Sequence, residues 1–235
     1  MRRSLAVTLL LLATALGACG SSDDGATQAD IPSGGGQTTS PAPEPAAPAS
    51  AQGCKQIAQR PAAKPDGGAK KPSQPLDDSK TWTLDFQTSC GDFTVRLDLK
   101  SAPNASASMV SLAKSGFFKG TIFHRIVPDF VIQGGDPTAE GTGGPGYSTV
   151  DKPPRDTTYT KGVVAMAKSP SEAPGTAGSQ FYVVTGADAG LPPDYAVIGK
   201  VTKGQDVVDR IGGLGGPDEQ PTQVVELYDV KAASS

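Results

Sequence analysis

Every phenylalanine, tyrosine and tryptophan of this chain lies between Trp82 and Tyr228. Aromatic side chains supply much of the area that a core buries, so a folded domain can begin only near residue 80. From there the pattern is that of short strands. Trp82, Leu84 and Phe86 alternate with polar residues, and so do Phe93, Val95, Leu97 and Leu99. This predicts a hairpin over 81–87 and 93–99, turned at Thr-Ser-Cys-Gly-Asp. Residues 104–115 change to helical spacing through Met109, Leu112 and Ala113, with Gly116 placed to end the helix. Further strands are predicted over 121–127, 130–133, 162–167, 180–185, 196–201 and 223–230, and a short helix over 206–211. A long Gly- and Pro-rich loop fills 134–161. About eight short strands and two helices suggest an antiparallel barrel with helices over its ends.

The N-terminus reads as an address. Two arginines, an apolar run from Leu5 to Leu16 and small residues before Cys19 describe a secretory signal over 1–18. The run is too short to span a bilayer comfortably. Leu16-Gly17-Ala18-Cys19 resembles the bacterial lipobox, which implies lipidation of Cys19 and a membrane held only through that anchor, at the extracytoplasmic face. Residues 19–79 are rich in Pro, Gly, Ser and Ala and contain no aromatic, so they are expected to be a disordered tether. The folded domain is expected over 80–232. Cys54 and Cys90 remain; they are either free or joined, and an oxidising compartment favours the bridge. Two cysteines and a single distant His do not make a zinc site. A net charge of −3 gives no basic footprint for nucleic acid and, with a tether, fits a monomer.

The run Phe-His-Arg-Ile-Val-Pro-Asp-Phe-Val-Ile-Gln-Gly-Gly-Asp-Pro over 123–137 holds the only histidine, His124, and sets Arg125 among apolar side chains. Arginine is seldom buried unless it is paired. Arg125 therefore either has a buried partner or faces a pocket.

That run, with Gly-Ser-Gln-Phe-Tyr-Val-Val-Thr at 178–185, resembles the signature of the cyclophilins, which are peptidyl-prolyl cis-trans isomerases. Gly-Phe-Phe-Lys-Gly-Thr-Ile-Phe-His-Arg at 116–125 and Tyr-Ala-Val-Ile-Gly-Lys-Val at 195–201 fit the same pattern in the same order. The resemblance covers 80–231 and looks most like exported actinobacterial members. It implies a mainly β fold, a closed eight-stranded antiparallel cyclophilin-like barrel capped by two helices. It implies isomerisation of X–Pro bonds in exported proteins, with proline-containing segments as partners and no cofactor. Arg125 is then the catalytic electrostatic element. Phe130, Val131, Tyr182 and Leu191 form the proline pocket, and Gln133 orients Arg125 or a substrate carbonyl. Gln180, Ala167 and Lys168 line the peptide groove, with Tyr195 beside them. His124 either touches substrate or packs and hydrogen-bonds.

The chain departs from the family pattern at several of these positions. Tyr182 stands where many members have Phe, and Val131 where Met is usual. Tyr195 replaces a common histidine and Lys168 an asparagine. Gly190 occupies the place of a tryptophan that donates to cyclosporin in the best-studied members, which predicts weak inhibition by that drug. Rival readings are a binding module without useful turnover, a structural envelope lipoprotein, and a serine hydrolase. The last has Ser179 and His124 but no nucleophile elbow and no placed acid.

Overall fold

The computed structural model describes residues 53–235. The expected signal peptide, the lipidation site Cys19 and the tether as far as residue 52 lie outside the described residues.

Among the described residues eleven strands and two helices form in the order β1 (Trp82–Thr88), β2 (Gly91–Leu97), α1 (Pro103–Lys114), β3 (Thr121–Ile122), β4 (Arg125–Val127), β5 (Val131–Gly134), β6 (Thr149–Val150), β7 (Val163–Met166), β8 (Thr176–Ala177), β9 (Phe181–Val184), β10 (Val197–Lys203), α2 (Gln205–Gly212) and β11 (Glu226–Ser234). Nine of the strands make one antiparallel sheet in the order β3-β11-β1-β2-β10-β7-β9-β5-β4, and β6 pairs with β8 separately. The expected closed eight-stranded barrel is thus corrected: the sheet has nine strands, curls into a half-barrel, and its end strands β3 and β4 are not bonded to each other. The cause is local. Residues 121–127 read as one strand, but Phe123 and His124 interrupt it. Thr121 and Ile122 pair with β11, whereas Arg125, Ile126 and Val127 pair with β5. One run of sequence therefore forms both edges. On the far side of β4, the Ile126 amide donates to the Glu219 carbonyl at 2.8 Å.

The alternation read from the sequence places Leu84, Phe86, Phe93 and Val95 inside the half-barrel. Phe86 and Phe93 are cross-strand partners and stack with centroids 4.7 Å apart. Phe118, Phe123 and Phe181 complete this aromatic core, and each fully buried side chain of this size contributes about 2 kcal/mol of transfer free energy. Strands β7 and β9 are buried on both faces, which is why their sequences run apolar without alternation. Their outer faces support a second apolar cluster around Val131, Tyr159 and Tyr182.

Helix α1 starts at Pro103 without a side-chain cap of its own. Asp151, from the long loop, accepts the Ala105 amide at 2.6 Å and the Asn104 amide at 3.3 Å, so the cap arrives from 46 residues away. Helix α2 packs Val207, Val208 and Ile211 inward, and Arg210 donates to the Cys90 carbonyl at 2.7 Å.

Residues 54–71 correct the expectation of a free tether. Cys54 is disulfide-bonded to Cys90. Beyond it the chain runs as a strap along the loop 137–148. The Lys64 amide donates to Pro137, that of Gly67 to Gly144 and that of Ala69 to Pro145, at 2.8, 2.9 and 3.0 Å. Asp66 accepts the Gly144 amide at 2.8 Å, and Lys71 reaches the Ser148 carbonyl at 2.8 Å. Lys64 bonds the carbonyls of Phe117 and Lys119 just beyond α1, and its desolvation lowers the ammonium below the usual lysine range. The composition of the strap resembles a linker because these contacts are made mostly by backbone rather than by apolar side chains.

Candidate active site

Arg125 is the first residue of β4, and its register partner on β5 is Gln133. Gln133 in turn faces Tyr182 on β9, and Tyr182 faces Ala165 on β7. Four adjacent strands thus hold the site to the geometry of a ladder. The Arg125 side chain is 31% exposed, and its Nε donates to Glu219 Oε2 at 2.7 Å. With Nε engaged, the two terminal nitrogens are the donors left to the recess. Its guanidinium carbon lies 5.8 Å from the centre of the Phe130 ring. The hydrogen bond and the charge of Arg125 hold the Glu219 carboxyl below the usual carboxylate range.

Beside the guanidinium is an open recess of about 230 Å³. Phe130, Val131, Tyr182 and Leu191 give it an apolar wall. Ala167, Lys168 and Tyr195 also line it, together with Gln133 and Arg125 itself. Arg125 is therefore neither enclosed in the core nor free of a partner: one edge is paired and the rest faces the recess. The Lys168 ammonium sits 5.4 Å over the Tyr195 ring and donates to the carbonyls of Ser169 and Glu172 at 3.2 and 3.1 Å.

Two sequence expectations come out differently, and a third residue was not foreseen. Gln133 does not hold Arg125; its amide donates to Gln180 Oε1 at 3.0 Å, and Gln180 donates to the Gly143 carbonyl at 2.9 Å. The orienting group for Arg125 is Glu219, 94 residues away in the chain, for which the sequence carried no signal. His124 packs but makes no hydrogen bond: it is 7% exposed, neither ring nitrogen has a partner, and it lines a neighbouring recess. Burial lowers its pKa, outweighing the nearby Asp136 carboxylate.

Tyr182 also lacks a partner for its hydroxyl. Burial pushes this phenol strongly up, and the neighbouring Tyr159 and Tyr195 add to the shift. Tyr159, by contrast, donates to the Tyr195 carbonyl at 2.9 Å and accepts its amide at 3.0 Å, which fixes the rim. Ser179 is fully buried and donates to the Gly135 carbonyl at 2.7 Å, an arrangement with no place for a nucleophile.

Gln180 belongs to a larger cleft of about 720 Å³ that also borders Gln133, Ala167 and Lys168. One wall is the loop 141–148, and Asp66 of the strap stands at its edge. Asp136 shapes that loop: its carboxylate accepts amides of Thr138, Glu140, Gly141 and Gly143. Burial raises the Asp136 pKa, but these bonds outweigh it and leave the carboxyl below its usual range.

The family model described as cyclophilin type peptidyl-prolyl cis-trans isomerase matches residues 83–232. This chain is a cyclophilin. Among its curated relatives, peptidyl-prolyl cis-trans isomerase CYP18-2 of Arabidopsis thaliana is 34% identical over 151 residues, which is 62% of this chain and 90% of that protein. Peptidyl-prolyl cis-trans isomerase ppi1 of Schizosaccharomyces pombe is 37% identical over 155 residues, 64% of this chain and 97% of that protein. A crystal structure of a Cryptosporidium parvum cyclophilin type peptidyl-prolyl cis-trans isomerase superposes with a TM-score of 0.60 at 28% identity, covering 66% of this chain and 99% of that one. The cyclophilin is accordingly an enzyme, a peptidyl-prolyl cis-trans isomerase acting on proline-containing peptides. The strap precedes the matched region and is an addition to the family domain.

The chemistry asks little of such a site. Rotation about an X–Pro bond breaks amide resonance against a barrier of about 18–20 kcal/mol. No bond to the enzyme and no proton transfer is needed. In the twisted amide the prolyl nitrogen becomes pyramidal and gains a lone pair, and a catalyst must bind that form better than either planar one. A guanidinium keeps its charge at every relevant pH and offers several donors to such a lone pair.

Proposed function

We propose that this cyclophilin is a lipid-anchored, monomeric isomerase that accelerates X–Pro rotation in exported proteins folding at the outer face of the membrane, with Arg125 as its catalytic group. The observation that carries the catalytic reading is the open recess of about 230 Å³ with the Arg125 guanidinium on its border. It is apolar where a pyrrolidine ring would lie and cationic where the twisted nitrogen would emerge. Phe130, Val131, Tyr182 and Leu191 grip the ring, and Arg125 donates to the nitrogen lone pair. Gln133, Gln180, Ala167 and Lys168 receive the peptide on one side. The C. parvum relative has also been crystallised in the presence of the dipeptide Ala-Pro, a ligand of the kind this recess suits.

Location rests on the N-terminal sequence, with its lipobox-like Leu16-Gly17-Ala18-Cys19, and is supported by the Cys54–Cys90 disulfide, a bond that persists in oxidising compartments. Two measurements test the proposal. Magnetisation-exchange NMR on a short X–Pro peptide should show isomerisation reduced about a hundredfold or more by Arg125→Ala, a loss of about 3 kcal/mol in transition-state binding; equal rates for the two proteins would remove Arg125 from catalysis. Metabolic labelling with palmitate in a bacterial host should mark the full chain but not Cys19→Ser, and an unlabelled wild type would remove the anchor.

A further inference from the structure

Adjoining the apolar recess at Arg125 lies a second one, of about 330 Å³. Arg125 and Gln133 border both. The second recess is acidic: Glu140, Asp218 and Glu219 open onto it. Glu219 is paired with Arg125, while neither Glu140 nor Asp218 has an ion-pair partner among the described residues. Arg60 of the strap is the other cation nearby, and it is bound to the Ala139 carbonyl at 2.6 Å. Asp136 lies behind the recess with its carboxylate already satisfied by loop amides. The unmet charge is therefore negative.

A second observation points to a ligand. The His124 imidazole, 7% exposed, lines this recess with both nitrogens unpartnered. A buried polar group without a partner costs free energy that an incoming donor would recover. The Nε2 edge lies against Gly141, where a methyl group would stand 3.7 Å from it in ordinary contact; both nitrogens are covered, so an incoming donor reaches Nε2 as the loop at Gly141 shifts. Desolvation keeps the imidazole neutral, so one of its nitrogens is an acceptor. Among the described residues no three His, Cys, Asp or Glu side chains converge as metal ligands do. The recess suits an extended organic cation that meets several separate acceptors.

We propose that this recess is a substrate subsite for the side chain of a lysine or arginine lying within a few residues of the isomerised proline, held by Glu140, Asp218 and the buried edge of His124. The shared border at Arg125 and Gln133 places that side chain in the same peptide whose proline ring occupies the apolar recess. The inference adds a sequence preference to the catalytic reading and is measured separately from it.

The test uses the full chain and synthetic proline hexapeptides carrying Lys, norleucine or Glu at each position within three residues of the proline. Binding is followed by calorimetry and turnover by exchange NMR. At one position Lys should be favoured over Glu by about tenfold in both affinity and kcat/KM. In the Glu140→Gln/Asp218→Asn double variant that ratio should fall toward one. The imidazole is the only one in the chain, so its nitrogen resonances are unambiguous; they should shift with the favoured Lys peptide and not with norleucine. A ratio near one throughout, an equal preference for Lys at every position, a ratio untouched by the double variant, or an unmoved imidazole would each overturn the subsite. Failure of Arg125 as the catalytic group would show instead as an active Arg125→Ala protein, with the binding ratios still readable.

Discussion

The Nε of Arg125 and the Oε2 of Glu219 meet at 2.7 Å, joining an edge strand to a turn 94 residues later. Glu219 reaches this position with a backbone φ of 61°, in the left-handed region that few residues other than glycine adopt, and its carbonyl accepts the Ile126 amide. The contact thus fixes both the side chain and the strand that carries it. Glu219→Gln should lower kcat/KM about tenfold with KM nearly unchanged, because an oriented donor matters most for the twisted amide. The folded-state pKa of Glu219 is depressed, so the pairing persists above the ordinary carboxyl range and is lost as pH falls through the lower folded value. Wild-type activity should therefore hold from neutrality down through the ordinary glutamate range and fall only below it. A pH profile of kcat/KM that is the same in Glu219→Gln would contradict this.

Tyr182 offers a stabilising change. Its hydroxyl is buried without a partner, and such a group costs about 1–3 kcal/mol. Tyr182→Phe keeps the ring against Tyr195, with centroids 5.7 Å apart, and removes the orphan. Denaturant unfolding should show a gain of about 1 kcal/mol; a loss would mean that the hydroxyl has a role the packing does not reveal.

Cys54 and Cys90 close a loop spanning a separation of 36 residues. Chain entropy assigns such a bridge about 3–4 kcal/mol. Cys54→Ser should lose most of that in chemical denaturation and should speed tryptic cleavage after Lys55 and Lys70, the strap lysines not followed by proline, since the strap would lose its covalent end. Unchanged cleavage would show that the backbone contacts to 137–148 suffice alone.

Gly143 sits where a side chain has no room: a methyl group there would collide with Asp136 Oδ1 and Thr138. Its carbonyl also receives the Gln180 amide. Gly143→Ala should cost about 1–3 kcal/mol in stability and raise KM, because Gln180 would lose its anchor. Thermal unfolding and Michaelis analysis measure the two effects independently.

Cyclosporin should inhibit weakly. Gly190 stands next to Leu191 where the resemblance implies a donating tryptophan, and a Cβ placed there would meet nothing within 4 Å beyond its chain neighbours. Inhibition of peptide turnover at nanomolar drug would contradict this.

Much of this architecture was legible in residue order. Alternation in 81–99 gave the hairpin, and Met109, Leu112 and Ala113 the first helix, each within a residue or two of the observed ends. Local period is a property of a segment and can be read there. The short ladder of Thr149–Val150 with Thr176–Ala177 was not legible, since two residues make no period. Nor was the break at Phe123–His124, where the apolar pattern continues but the hydrogen-bond partners change. The candidate site divides in the same way. Arg125, Phe130 and Gln133 lie in one motif and Tyr182 in another, whereas Glu219 and Asp66 come from turns and linker-like sequence. Their roles depend on which distant segment folds back beside them, and no spacing along the chain records that.

The two sheet edges have a consequence for an enzyme that acts on proline-containing peptides. An open ladder would invite an extended client to add as another strand and remain. Here the run that ends one edge at Ile122 begins the other at Arg125, and the outward amide of Ile126 is already taken by Glu219. The same residue that pairs with the cation therefore also occupies the outward side of β4, so a visiting peptide finds less of a backbone template there.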